Sequence, residues 1–100
     1  MNPFPQISSE VLSNRELLIS IRRQLHENPE IAYQEFQTSS LIIDFLTKLG
    51  LEVIPKVGKT GVIGLLKGQF PGPTILIRAD MDALPLQEAT NLPFVSKNPG

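Results

Sequence analysis

Apolar residues recur along the first half of the chain at helical spacing. Leu17, Leu18, Ile21 and Leu25 fall on one side of a helical wheel, with Arg15, Arg22, Arg23 and Gln24 on the other, the pattern of an amphipathic helix. Ser13-Asn14-Arg15-Glu16 fits a capping box at its start, in which the Ser13 hydroxyl accepts from an early amide and Glu16 reaches back to the cap. Pro29 sets its end, because the residue before a proline is pushed out of the helical region. Leu41, Ile42, Phe45, Leu46 and Leu49 predict a second helix that begins between Ala32 and Glu35. Lys48 lies in its last turn, and Gly50 is placed to take the left-handed conformation that ends it.

Beyond Gly50 the period changes to that of a strand. Leu51 and Val53, continued by Pro55 or Val57, alternate with polar neighbours, and residues 62–66 form a second apolar run, so two adjacent strands are expected. Gly58-Lys59-Thr60-Gly61 joins them. It contains Gly-Lys-Thr but lacks the earlier glycine and the spacing of a phosphate-binding loop, and a strand follows it where that loop needs a helix. After a turn cluster at residues 68–73, the run Thr74-Ile75-Leu76-Ile77-Arg78-Ala79 predicts a third strand. The fold class expected is α/β, two helices packed on a sheet of at least three strands. Pro3 and Pro5 make residues 1–12 an irregular arm, residues 13–100 a single unit, and the aperiodic residues 91–100 a loop. There is no internal repeat and no low-complexity segment.

Composition narrows the class of partner. One hundred residues with 41% hydrophobic content are one globular unit or part of one. Nine Lys and Arg against ten Asp and Glu leave a net charge of −1, which supplies no field for nucleic acid or an anionic membrane. The chain has no cysteine, hence no disulfide and no thiolate metal site, which points to the cytoplasm. Its first residues lack the charged start and apolar core of a signal peptide, and no apolar run reaches the roughly 18 residues of a membrane helix.

The candidate chemistry sits at the end of the expected third strand. Asp80 and Asp82 share one face if the extended geometry continues. Carboxylates there can bind a divalent cation, orient a histidine ligand, or act as nucleophile and acid; they can also simply bond nearby amides in a turn. An aspartyl-nucleophile phosphatase would not have Ala83-Leu84-Pro85 after the pair or Arg78 before it. His26, the single histidine, stands at a helix C-terminus, where the dipole or a terminal carbonyl favours it. The functional alternative is a proton carrier paired with Glu30 or Glu35. Glu35 and Thr38 are explained as first-turn residues of the second helix.

Two longer stretches add a resemblance. RRQLHENPEIAYQEFQTS (residues 22–39) and GPTILIRADMDALPLQE (residues 72–88) together resemble the start of the dimetal amidohydrolases of the aminoacylase and carboxypeptidase-like family, closest to the hippurate hydrolase and indoleacetyl-amino-acid hydrolase subgroup. The resemblance runs from about Leu17 to the last residue. It implies a partial zinc-peptidase-like catalytic domain and the hydrolysis of N-acyl amino acids. Two divalent ions, manganese or zinc, activate a water there and polarise the amide carbonyl, aided by a glutamate base.

In many family members the strand end reads His-x-Asp, the histidine binding metal and the aspartate orienting it. Asp80 stands at the histidine position and Asp82 at the aspartate position, so Asp82 is expected to play the orienting role, with Asp80 a departure. In the subgroup a metal-binding thiolate and imidazole come from a Cys-Gly-His motif, expected a few residues beyond Gly100. The resemblance also implies a further domain that mediates dimerisation. His26, Glu30 and Glu35 match the early motif and are carried over as site-wall or structural residues. With one histidine and no cysteine, the chain is expected to be a fragment or truncated product that binds no metal pair and does not catalyse alone. The rival reading is a non-catalytic α/β module that associates through an uncovered sheet edge.

Overall fold

The computed structural model describes residues 6–98. Among them the order is α1 (Ser9–Ser13), α2 (Arg15–Glu27), α3 (Phe36–Lys48), β1 (Glu52–Val57) and β2 (Gly61–Leu65). The α/β class stands. The sheet has two antiparallel strands, with α3 packed on both.

The two predicted helices form where the apolar period places them, and their starts differ from expectation. Ser13 does not cap α2: Asn14 is its N-cap and makes no side-chain cap bond, while the Ser13 hydroxyl donates to the Glu10 carbonyl at 2.6 Å. The reason is α1, which puts Ser13 inside a helical turn. That short helix has its own cap, the Ser8 hydroxyl accepting from the Val11 amide at 3.3 Å. Of the irregular arm expected over residues 1–12, residues 1–5 lie outside the described residues, 6–8 have no regular structure, and the rest enters α1.

Helix α3 starts at Phe36, one residue past the expected window, and its N-cap Glu35 makes no side-chain cap bond. At the other end Gly50 takes φ +86°. Its amide donates to the Thr47 carbonyl at 3.0 Å and the Leu51 amide to the Leu46 carbonyl at 3.2 Å, the paired bonds of a Schellman motif. The side chains of Leu46 and Leu51 meet over Gly64, where an added Cβ would lie 2.9 Å from one and 3.1 Å from the other. Gly64 is thus the gap in β2 that admits the end of α3.

The hairpin pairs Val53 with Gly64 and Ile54 with Ile63, then slips before Val57 pairs with Gly61. The slip falls at Pro55, which has no amide to donate, and Lys56, whose φ is +59°. Gly58 and Lys59 turn the chain with positive φ, so the 58–61 segment is a hairpin link, as expected.

The third strand is absent among the described residues. Ile75, Leu76 and Ile77 are 84%, 87% and 89% exposed, and no described strand pairs with them. An apolar run becomes a strand only when another backbone meets its amides and carbonyls, and three consecutive apolar residues read as a strand buried on both faces. Nothing described covers either face. The same shortage holds elsewhere among the described residues: no hydrophobic residue is buried, and the buried ones are Glu35, Thr38 and Thr60. The accessible surface of 8865 Å² compares with about 5,700 Å² for a folded monomer of this mass.

Candidate functional site

Residues 80–82 follow the exposed apolar run and lie between two concavities. One, of about 570 Å³, is lined by Arg22, His26, Met81 and Glu88 together with both aspartates. The other, of about 380 Å³, is lined by Tyr33, Glu35, Thr60, Arg78 and the same 80–82 segment. The fold therefore collects His26, Asp80 and Asp82 at one cavity and Glu35, Asp80 and Asp82 at the next. Glu30 borders neither.

The two aspartates differ in their surroundings. Asp80 accepts from Arg78 at 2.9 Å, an exposed pair two residues apart. Asp82 makes no hydrogen bond or ion pair among the described residues. A carboxylate is an acceptor only, and Asp82 keeps its full acceptor capacity at the border of both cavities.

His26 bonds neither a terminal carbonyl nor Glu30 nor Glu35. Its Nε2 lies 3.0 Å from Glu88 Oε1, and its ring meets Phe94 edge-on at 5.7 Å. The Arg23 guanidinium lies 4.5 Å from the centre of the same Phe94 ring. Glu88 also accepts from the Thr90 hydroxyl and from the Ser96 amide at 2.9 Å. Bonds from Thr90, Ser96 and His26 together hold its carboxyl down at about 2.

Neither the terminal carbonyl nor the alternative pairing with Glu30 or Glu35 applies, because the partner is 62 residues away. No spacing rule links Glu88 to His26, and nothing in the Gln87-Glu88 dipeptide announces it.

Glu30 has a role of a different kind. Its carboxylate accepts from the Thr38 amide at 2.6 Å and the Gln37 amide at 3.1 Å, supplying α3 with the cap that Glu35 does not. Burial alone would raise the Glu30 carboxyl, but the bonds from Thr38, Gln37 and Phe36 outweigh it and leave it below the usual carboxylate value. Glu35, freed from capping, accepts from the Thr60 hydroxyl at 3.0 Å in a buried bond that ties the head of α3 to the hairpin turn. Nearby, Tyr33 and Lys59 both hold positive φ, and the Lys59 ammonium stands 5.1 Å from the centre of the Tyr33 ring.

Among the described residues no three His, Cys, Asp or Glu side chains are grouped to hold a metal ion. Asp80 is occupied by Arg78 and His26 by Glu88. The donors present do not fit a two-ion centre.

Comparison with known proteins shows what this chain is similar to. No family model matches the chain. Pairwise, it is 44% identical over its whole length to thermostable carboxypeptidase 2 of Saccharolobus solfataricus, covering 26% of that protein. It is 49% identical over 97% of its length to the hippurate hydrolase of Campylobacter jejuni, covering 24% of it. The fold superposes on the crystal structure of the Bacillus subtilis YXEP protein, a dinuclear metal-binding peptidase of the M20 family. The TM-score is 0.82 at 48% identity, over 89% of this chain and 25% of that one. Along almost its whole length the chain is thus similar to a stretch of an M20 family peptidase and of related hydrolases. The chain spans about a quarter of the length of the curated relatives it matches. None of its described helices is long and apolar enough to cross a membrane.

Proposed function

We propose that residues 13–100 form part of the catalytic domain of a metal-dependent amidohydrolase that cleaves the amide bond of N-acyl amino acids. The observation that carries the reading is the 48% identity, at a TM-score of 0.82, to a dinuclear metal-binding peptidase. The hydrolase of hippurate, an N-acyl glycine, among the relatives supports the substrate class. Manganese or zinc is the proposed metal, with its binding groups contributed by sequence outside the described residues.

Asp82 is the residue proposed to work. Its carboxylate has no partner among the described residues and borders both cavities, so it can accept a hydrogen bond from an imidazole brought to it and fix that ring's orientation. Asp80, held by Arg78, is proposed only to shape the cavity wall. The test is hydrolysis of hippurate by the protein produced with the coding sequence that adjoins this chain in its gene. Asp82→Asn should lower kcat/KM by about 10- to 100-fold, the effect of losing an orienting partner at a metal site; near-normal activity in that variant overturns the role.

A second reading, an association module without catalysis, is favoured by the exposed run at Ile75, Leu76 and Ile77. Size-exclusion chromatography of the chain alone discriminates. Self-association with no hydrolysis by the extended protein supports the module, and hydrolysis rules it out.

A further inference from the structure

The bonds that hold residues 80–98 against the helices converge on residues 26–30. His26 pairs with Glu88 at 3.0 Å. The Glu27 carbonyl accepts from the Lys97 amide at 2.8 Å, and its carboxylate lies 3.3 Å from the Lys97 ammonium. The Pro29 carbonyl accepts from the Asn98 side-chain amide at 2.9 Å, and the Glu30 carbonyl from the Ala83 amide at 2.8 Å. Asn28 is the exception, its side chain turned back to the Gln24 carbonyl at 2.9 Å.

Glu30 reaches Asp82 through one intermediary, and His26 holds the chain beyond it. Ala83 follows Asp82 directly, so its amide and the Asp82 carbonyl share one rigid peptide plane. When Glu30 accepts from that amide, the plane leaving Asp82 is fixed. The Glu30 carbonyl is steady because the same residue's carboxylate is anchored on the Gln37 and Thr38 amides at the head of α3. On the other side, His26 holds Glu88, and Glu88 gathers Thr90 and Ser96 around its carboxylate. The chain after Asp82 is thereby tied down a second time. No ladder does this work, since residues 66–98 contain no helix or strand.

We propose that His26 and Glu30 are positioning residues, two arms of a clasp that sets the orientation of Asp82 from the last turn of α2 and the loop that leads into α3. Only the catalytic consequence rests on the proposed function; the clasp itself does not.

The experiment is amide hydrogen exchange, followed by NMR, on the chain and its variants. In the wild type the Ala83 amide exchanges at least about tenfold more slowly than a free peptide. Glu30→Ala brings it near the free-peptide rate together with the Gln37 and Thr38 amides, while amides in the middle of α2 keep theirs. His26→Ala releases the Ser96 and Lys97 amides. His26→Gln, whose side-chain nitrogen can reach Glu88, restores them, which a general loss of structure would not allow. An Ala83 amide that exchanges freely in the wild type, is unmoved by Glu30→Ala, or a His26→Gln variant that rescues nothing, each overturns the clasp.

Hippurate hydrolysis by the extended protein is measured separately. There Glu30→Ala lowers kcat by about tenfold with KM nearly constant, and a rise in KM with kcat intact overturns the positioning of Asp82. Absence of hydrolysis in the wild type falls on the proposed function alone, and the exchange data still decide the clasp.

Discussion

Residues 9–65 and residues 66–98 hold their shape by different means. The first region is built of helices and a hairpin, in which each residue repeats a bond its neighbour also makes. The second contains no helix or strand and is placed by single bonds that reach across the chain, among them Ala83 to Glu30, Lys97 to Glu27 and Glu88 to His26. A repeated ladder tolerates the loss of one rung, whereas a segment hung on individual bonds changes position when one is cut. The candidate aspartates belong to the second kind. Their placement depends on a loop 50 or so residues earlier, a dependence typical of site-bearing loops carried by a rigid scaffold.

The contrast can be broken at its strong end first. An added Cβ at Gly61 would lie 2.5 Å from the Val57 carbonyl oxygen, a backbone atom that cannot turn aside. Gly61→Ala should therefore destabilise the hairpin by about 1–3 kcal/mol, read as a fall in thermal midpoint by circular dichroism. Survival of the wild-type midpoint would mean that the hairpin is not a rigid half of the molecule.

Acid separates the regions next. The carboxyls of Glu30 and Glu88 are both lowered on folding, Glu88 to about 2. Groups shifted in that direction contribute stability above the unfolded value of about 4.5, and the contribution is lost as pH falls through the folded value. Between about pH 4.5 and 2 the Ser96 amide resonance should lose its Glu88 hydrogen-bond shift while the hairpin resonances stay in place. Coincident loss of both would show one cooperative unit.

The smallest effect belongs to Lys97. Its ammonium is largely exposed beside Glu27, and such pairs contribute about 0–1 kcal/mol. Lys97→Ala should leave the Lys97-to-Glu27 backbone bond intact and change the midpoint by less than the error of the scan. A clear drop would move that side chain into the clasp.

Much of the first region was legible in the sequence. The stripe of Leu17, Ile21 and Leu25 marked α2, and Leu41, Phe45 and Leu46 with Gly50 marked α3 and its Schellman end. The alternation at Val53 and the Gly58 to Gly61 turn marked the hairpin. Each is a short-range rule that few residues satisfy by accident. The capping box at Ser13 misled because two helices meet there, and the rule cannot see a preceding turn. Asp80 and Asp82 were legible as candidates, yet their inequality was not, since it turns on where the Arg78 side chain lies.

What the sequence determined by itself is therefore the local order and the M20 likeness, because helical and strand periods and motif strings are carried by neighbouring residues. What the tertiary structure decided is which groups meet. It brought Glu88 to His26 across 62 positions, turned Glu30 from a candidate proton partner into the cap of α3, and left Ile75, Leu76 and Ile77 without a strand partner among the described residues. Those outcomes depend on bonds between distant backbone and side-chain groups. A strand in particular exists only when a second chain segment supplies the other half of its hydrogen bonds.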